Sequence, residues 1–538
     1  VVGDGVAAVA ADRGRPGRPG RGWALAFLVF FLISAAWAMA SPYDGTPDEV
    51  RHIIRAAGVV QGQIFPRPAT EPGVGNVGAY QSVPTGLVRG TEPPVLTNRY
   101  CYHWIPSRSA ACAPVPGDAK DPARLVTVVT AAGRYNPLYY AVVGEPLVRW
   151  PDWTGILLAR LISAALCAAF LASAWLSCLE WGRSRLLIAG LLVAATPPFF
   201  ELSGGINPNS VEIAAGISLA AAAVPLLLDT GSVRVQGWRR RAAVAAIGIG
   251  QFRAMGPELI AGLLIVLLLP PVRARLRQLL RQAATWWWSA AVLVSCALGV
   301  AWTVISQVGD VGNTAHLRLS PFRVLRVEFT GWLTKVIAQM IDGFSYYDTN
   351  PPHLIIWVWA AALGALLVAA VICGNWADRW RLAALAGGTL AIPVVFELLT
   401  VNSFGFSFQG RYILPLAVGI PVLAAFIIGS SGRLSRAPQT AIIRAMILLL
   451  LPVQLLSLGY VMDRFQSGVG PGHALDPLLG SWHPVTGSVL PLAAMTAGLI
   501  SLGVMAWREA RLPDELRLPL FSYPAAEPQR EPVRKFPP

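Results

Sequence analysis

The sequence predicts an all-α polytopic membrane protein, and three observations carry that prediction. Of 538 residues, 54% are hydrophobic and only 13% charged, where soluble domains carry roughly 25% charged residues. Apolar runs long enough to cross a bilayer, about 20 residues each, recur along the whole chain. Arginines gather in the short connections between those runs, as orientation signals do.

The runs lie at 22–40, 154–179, 185–201, 210–228, 285–306, 354–373, 382–400, 411–429, 445–462 and 488–507. The segment 242–270 is broken by Gln251-Phe-Arg253-Ala-Met-Gly256-Pro257-Glu258 and has basic flanks on both sides, Arg239 to Arg241 and Arg273 to Arg281. Two basic flanks require an even number of crossings. It is therefore read as a hairpin of two short helices, with a polar turn that protein or water must shield. About twelve transmembrane segments result.

Arg13, Arg15, Arg18 and Arg21 precede the first run and hold the N-terminus in the cytoplasm. The expected organisation is a cytoplasmic tail 1–21, a first transmembrane helix 22–40 and a large extracytoplasmic loop 41–152. A transmembrane bundle 153–306 containing the hairpin comes next, then an extracytoplasmic loop 307–353 with an amphipathic helix near 321–344. A second bundle, 354–507, and a Pro-rich, charged tail 508–538, read as disordered and cytoplasmic, complete the chain. Ala38-Met39-Ala40 before Ser41 fits a signal-peptide cleavage site. The apolar run exceeds the usual 7–15 residues of such a peptide, so a retained span is expected.

The net charge of +14 belongs to these orientation signals, and no nucleic-acid partner is expected. The abundance of Arg, Ala, Gly and Pro against three lysines points to a GC-rich bacterial genome and a plasma-membrane location. Cys101 and Cys112 share the large outer loop, a compartment that permits a disulfide; Cys167, Cys178, Cys296 and Cys373 lie in apolar spans. No metal-ligand spacing of Cys and His is present, so no cofactor is predicted, although the acids leave a divalent ion open.

Just beyond the first span stands Ser41-Pro-Tyr-Asp44-Gly-Thr-Pro-Asp48-Glu49-Val-Arg-His52-Ile-Ile-Arg55. One reading is local: Thr46 as N-cap, Pro47 at the first helical position and Glu49 completing a capping box. The other is chemical. Asp48, His52 and Arg55, spaced i, i+4, i+7, share one face of the helix and bring an acid, an imidazole and a guanidinium to the bilayer surface.

Gln409-Gly410-Arg411-Tyr412 opens a span from the same side, where the planar fork of Arg411 suits phosphate oxygens or snorkels to headgroups. Arg253 sits inside a membrane segment, by default a functional position, unless it pairs with Glu258. Asn207-Pro208-Asn209-Ser210 reads as a helix cap. Tyr135, Asn136, Tyr139, Tyr140, Tyr346, Tyr347, Trp482 and His483 offer aromatic and polar surface suited to sugars or to an interfacial belt.

The set Pro47-Asp48-Glu49 with His52 and Arg55, Asn136-Pro-Leu-Tyr139-Tyr140, Arg160 with Ser163, Asn207-Pro208, and Gln409-Gly410-Arg411-Tyr412 resembles a bacterial family of multi-pass proteins of unknown function. That family in turn resembles the GT-C superfamily of polyprenyl-phosphate-sugar glycosyltransferases, whose first outer loop carries an Asp or Asp-Glu motif. Asn209 stands where the pattern leads one to expect an acid.

The resemblance implies a GT-C-like fold and an inverting, metal-independent sugar transfer. The donor would be a polyprenyl-phosphate sugar and the acceptor a cell-envelope glycan or lipid, with membrane lipids as surroundings. Asp48 would be the base, positioned by Glu49 or His52. Arg411, Arg253 and Arg55 would bind the donor phosphate, and Asp44, Asn136, Tyr139, Tyr140, Asn207, Gln409 and Tyr412 would contact substrate. The rival readings are a transporter or flippase for lipid-linked saccharides, with 242–270 as gate, and a non-catalytic envelope-assembly protein.

Overall fold

The structure, a computed structural model, describes residues 19–69, 78–88, 101–113, 115–231, 235–308, 315, 317–349, 351–470 and 473–511. The two expected tails therefore lie largely outside the described residues. Nine described helices are long and apolar enough to cross a membrane. They are α1 (Pro19–Ala40), α5 (Trp153–Glu180), α8 (Pro208–Leu228), α12 (Ala283–Ile305), α15 (Leu354–Cys373), α16 (Trp376–Phe404), α17 with α18 (Gly410–Ala417 and Gly419–Ser430), α19 (Arg436–Gln466) and α20 (Val489–Arg511).

The remaining expected segments are shorter, and each break has a local cause. The run 185–201 divides into α6 (Leu187–Ala194) and α7 (Pro197–Ser203), because the residue before a proline is pushed out of helical geometry and Thr196 is extended. The interrupted segment is α9 (Gln236–Phe252) and α10 (Gly256–Leu268), with Arg253 extended between them. A short basic helix, α11 (Arg273–Leu280), follows. The expected single amphipathic helix 321–344 is α13 (Pro321–Val327) and α14 (Leu333–Asp342), separated by a π-turn that departs from helical geometry at Gly331.

The segment 41–152 is not wholly helical, which amends the all-α expectation. It holds α2 (Glu49–Val60), α3 (Pro137–Val143) and α4 (Glu145–Arg149). Beside them lies an antiparallel pair, β1 (Ala79–Pro84) and β2 (Leu125–Thr130), with Ala79 opposite Thr130 and Pro84 opposite Leu125. A disulfide joins Cys101 to Cys112 in the same segment.

At the centre stands α8, buried along nearly its whole length and packed against α5, α9, α17 and α18. Within a bilayer such packing relies on small residues that let backbones approach. α8 supplies them: a Cβ added at Gly216 would lie 2.3 Å from the Pro415 carbonyl oxygen. Around this axis α1 packs on α5 and α20, and α6 on α18 and α19. The segment 41–152 closes over the end of the bundle where α1 stops and α5, α8 and α17 begin.

Candidate active site

α2 starts at Glu49, and its N-cap residue Asp48 adopts left-handed geometry at φ 63°, with no side-chain cap bond. The expected capping box is therefore not formed. The Thr46 hydroxyl is buried without a partner. Asp44 supplies the cap instead, accepting from the Val50 amide at 3.1 Å and from the Tyr346 hydroxyl at 2.9 Å. Tyr346 in turn accepts from the Asp48 amide at 3.1 Å. Asp44, expected to contact substrate, holds the turn that presents Asp48.

Glu49, expected beside the base, is fully buried and bound by Arg160: Nε donates to Oε1 at 2.7 Å and Nη2 to Oε2 at 2.6 Å. The remaining donors of Arg160 reach the carbonyls of Ala38, Ser41 and Pro42, and the Ile206 amide donates to Glu49. Bidentate geometry and full satisfaction are what allow a buried ion pair to persist. One guanidinium thus fixes the 41–49 turn to α5, and Glu49 is a structural anchor.

Asp48 itself remains 24% exposed. Its Oδ2 accepts from Arg411 Nη2 at 2.5 Å and its Oδ1 faces Arg51 at 3.1 Å. Burial works to raise the Asp48 carboxyl, but the charges of Arg51, Arg411 and His52 outweigh it and hold the group well below the usual carboxylate range. His52 is pushed down to about 3, chiefly by burial, with the Asp48 charge opposing. The neutral imidazole meets the Tyr140 hydroxyl through Nδ1 at 2.8 Å.

Arg411, only 4% exposed, leaves Nε and Nη1 buried with no partner and lies 5.3 Å from the Tyr412 ring centroid. Gly410 brings it there. Its amide donates to Gln339 Oε1 at 2.8 Å, and a Cβ would lie 2.5 Å from the Val336 carbonyl oxygen of α14. Gln409 accepts from the Tyr347 hydroxyl at 3.3 Å.

Arg253 projects from the break between α9 and α10 to donate to Asn209 Oδ1 at 3.0 Å. It lies 5.2 and 5.0 Å from the Tyr135 and Tyr412 ring centroids, in place of an ion pair with Glu258. Behind these residues, Glu201 accepts from the Ser345 amide and Glu212 from Asn209, each with its second oxygen buried and unpartnered.

The structure therefore brings Asp48, His52, Tyr140, Arg253, Arg411, Tyr412 and Gln409 to one place, from four separate stretches of sequence. The other expected residues have different tasks. Arg55 is fully buried and donates to the carbonyls of Tyr135, Gln63 and Ile64, so no phosphate-binding edge is left to it. Asn136 caps α3 through the Leu138 amide and donates to Gln251. Tyr139 bonds Ser163 in the core. Asn207 caps α8 and donates to the Pro47 carbonyl at 2.9 Å, tying the Asp48 turn to the bundle.

Arg51 and Glu201 were not singled out by sequence reasoning, and Tyr346 was read only as aromatic surface, not as the partner of Asp44 and Asp48. An ionisable residue inside an apolar run is the signal that marks Glu201; Arg51 and Tyr346 carry no such signal. Among the described residues no group of three or more His, Cys, Asp or Glu is placed to hold a metal ion.

A comparison of the sequence with curated proteins finds no match. Among solved structures the chain is similar to ArnT from Cupriavidus metallidurans bound to undecaprenyl phosphate: 15% identity, TM-score 0.41, with 90% of this chain and 76% of that one covered. The apo state of ArnT gives 16% identity and a TM-score of 0.39, with 91% and 78% covered. Scores at this level assign no activity to this chain. Residues 31–420, most of its length, match the family described as predicted membrane protein (DUF2142). With nine membrane-length apolar helices among its described residues, the chain is a multi-pass membrane protein and belongs to the DUF2142 family.

Proposed function

We propose that this protein transfers a sugar, with inversion, from a polyprenyl-phosphate donor to a cell-envelope glycan or lipid acceptor on the extracytoplasmic face of the membrane. The observation that supports the reading is the division of Arg411. One nitrogen holds the Asp48 carboxylate, while Nε and Nη1 are buried without partners. Buried donors left unmade are costly, and a phosphate oxygen is the acceptor that a guanidinium fork fits best.

The same arrangement couples binding to chemistry. A donor phosphate at Arg411 competes with Asp48 for the guanidinium and loosens the bond that keeps this carboxylate a weak base. Asp48 then takes the proton of the acceptor hydroxyl as its oxygen attacks the anomeric carbon. The bond from that carbon to the phosphate oxygen breaks with inversion. Negative charge grows on the departing phosphate, where Arg411 and Arg253 stabilise it. His52 stays neutral and, through Tyr140, holds the face of α2 in place.

The extracytoplasmic location rests on the arginine distribution among the short connections. A lipid-linked-saccharide transporter is the second reading, favoured by Arg253 standing at the break between α9 and α10, since broken helices also serve transport. Purified protein in nanodiscs with a polyprenyl-phosphate sugar and lipid or glycan acceptors distinguishes the two. A new glycosidic product that Arg411→Ala abolishes is expected. Movement of intact donor between leaflets without product refutes transfer.

A further inference from the structure

A second, unassigned feature lies at the opposite end of the bundle, between α19 and α20. These helices touch at that end, where the Thr440 hydroxyl donates to the Ala510 carbonyl at 2.9 Å. Along them runs a groove of about 560 Å3 whose lining includes Pro452 and Gly503. Gly503 lets the two helices approach closely beside it, since an added Cβ would lie 3.2 Å from Leu451 Cδ1. The floor is Leu and Ile, including Leu448 and Ile500, which remain 63% and 61% exposed. The groove ends at Trp507, Arg508 and Arg511.

One turn from the floor, Arg444 of α19 joins them. Its guanidinium lies 4.7 Å from the Trp507 ring centroid, and that of Arg511 lies 5.5 Å from the same ring. Two cations held at one indole repel each other, and an anion near both offsets that repulsion. The nearby Glu509 is directed to Arg185 instead, at 3.7 Å. Arg444 Nε is buried with no partner. Orientation signals explain arginines in a connection, but they do not explain Arg444, two turns inside its helix and stacked on an aromatic face at the mouth of an apolar trough.

We propose that this groove is a binding site for an anionic phospholipid, with an acyl chain along Leu448, Leu451 and Ile500 and the phosphate held by Arg444, Arg508 and Arg511. Basic pockets between transmembrane helices recognise anionic headgroups in this way, and tryptophan sits at the same depth as the headgroups. The site commits to a lipid because the apolar trough and the arginine cluster are continuous. Neither a free phosphate nor a neutral lipid uses both. The proposal stands independently of sugar transfer.

The test is native mass spectrometry of the full chain released from micelles holding equal phosphatidylglycerol and phosphatidylcholine. Wild type is expected to retain phosphatidylglycerol preferentially. Arg508→Gln with Arg511→Gln should cut that preference about thirtyfold, the loss of two surface arginine contacts. Val504→Trp, which fills the trough and leaves the arginines in place, should lower retention as well.

Equal retention of the two lipids, or displacement of phosphatidylglycerol by inorganic phosphate, overturns the proposal. So does full retention in Val504→Trp. A photoreactive phenylalanine analogue at Ile500 should capture lipid; capture of residues 512–538 or of a second copy of the chain would show a different occupant and refute the assignment. Unchanged thermal stability of each variant without lipid separates loss of the site from loss of the fold.

Discussion

Replacing Asp48 by Asn separates the two duties assigned to the Asp48–Arg411 contact, because it should lower turnover while tightening donor binding. The backbone tolerates the change: at φ 63° asparagine is as much at home as aspartate, whereas Asp48→Ala carries a backbone cost of roughly 1 kcal/mol. Two ionic contacts change. The one to Arg51, whose side chain is 46% exposed, is worth at most about 1 kcal/mol.

The contact to Arg411 is better shielded on the arginine side. Hydrogen bonds to charged groups contribute ~1.5–3 kcal/mol, and an amide oxygen keeps part of that. About 1 kcal/mol of competition with a phosphate ligand is removed, so the affinity of Asp48→Asn for polyprenyl phosphate should rise roughly fivefold. Turnover should fall about 10²–10⁴-fold, the typical worth of a positioned base. Both are read on the same nanodisc preparation, binding by titration with unglycosylated polyprenyl phosphate and turnover by product formation. Weaker binding in Asp48→Asn, or turnover within about fivefold of wild type at matched folded protein, refutes the shared-arginine reasoning.

Three further outcomes are expected. Glu49→Gln strips the charge from a pair in which both side chains are 0% exposed; uncompensated burial of Arg160 should cost about 3–5 kcal/mol, read as a large drop in unfolding temperature, while Glu49→Gln with Arg160→Met should recover part of it. His52 is pushed below its unfolded value to about 3, so the unfolded chain binds the extra proton. Stability should then decline as pH falls below about 6.5, by at most about 1.4 kcal/mol per unit, and His52→Gln should flatten that slope in equilibrium unfolding between pH 4 and 7. Gly410→Ala places a methyl 2.5 Å from the Val336 carbonyl oxygen and must push Arg411 away from Asp48; donor affinity and turnover should both fall at least tenfold, by the same binding and product assays, with the fold retained.

The membrane class and the positions of most helices were legible because composition and apolar run length report them directly, and the break at Arg253 because charge and proline interrupt that run visibly; the division of 185–201 at Pro197 was not read from the sequence. Asp48, His52 and Arg411 stood out for the same reason: each is an ionisable group at the edge of apolar sequence. Partnerships were not legible. Thr46-Pro47-Asp48-Glu49 satisfies a local capping pattern, and tertiary structure overrides it because Arg160, 111 residues from Glu49, makes a stronger claim on the carboxylate than a local amide does.

Arg55 has the right spacing to join Asp48 and His52, yet the carbonyls of Tyr135, Gln63 and Ile64 take its donors. No periodicity reports backbone carbonyls that only the folded chain assembles. The β1–β2 pair was missed similarly. The run Leu125–Thr130 is rich in β-branched residues, but its partner Ala79–Pro84 contains serine, glutamine and proline and carries little strand signal.

Arg464, at the far end of α19, has a bearing on how such a chain matures. It donates to the carbonyls of Tyr102 and Arg108, both inside the loop the disulfide closes, and pairs with Asp348 at 3.3 Å. Trp104 donates to the same aspartate. A ribosome passes Asp48, Arg253 and Arg411 well before it reaches residue 464, so every group of the candidate site leaves the exit tunnel before the side chain that fastens the 101–112 hoop to the stretch bearing Tyr346 and Tyr347. A nascent chain stalled ahead of that point carries every residue of the candidate site and lacks this clasp. On the proposed function, a mutation near residue 464 should therefore act as an assembly defect, visible as retained precursor, rather than as the loss of a site residue.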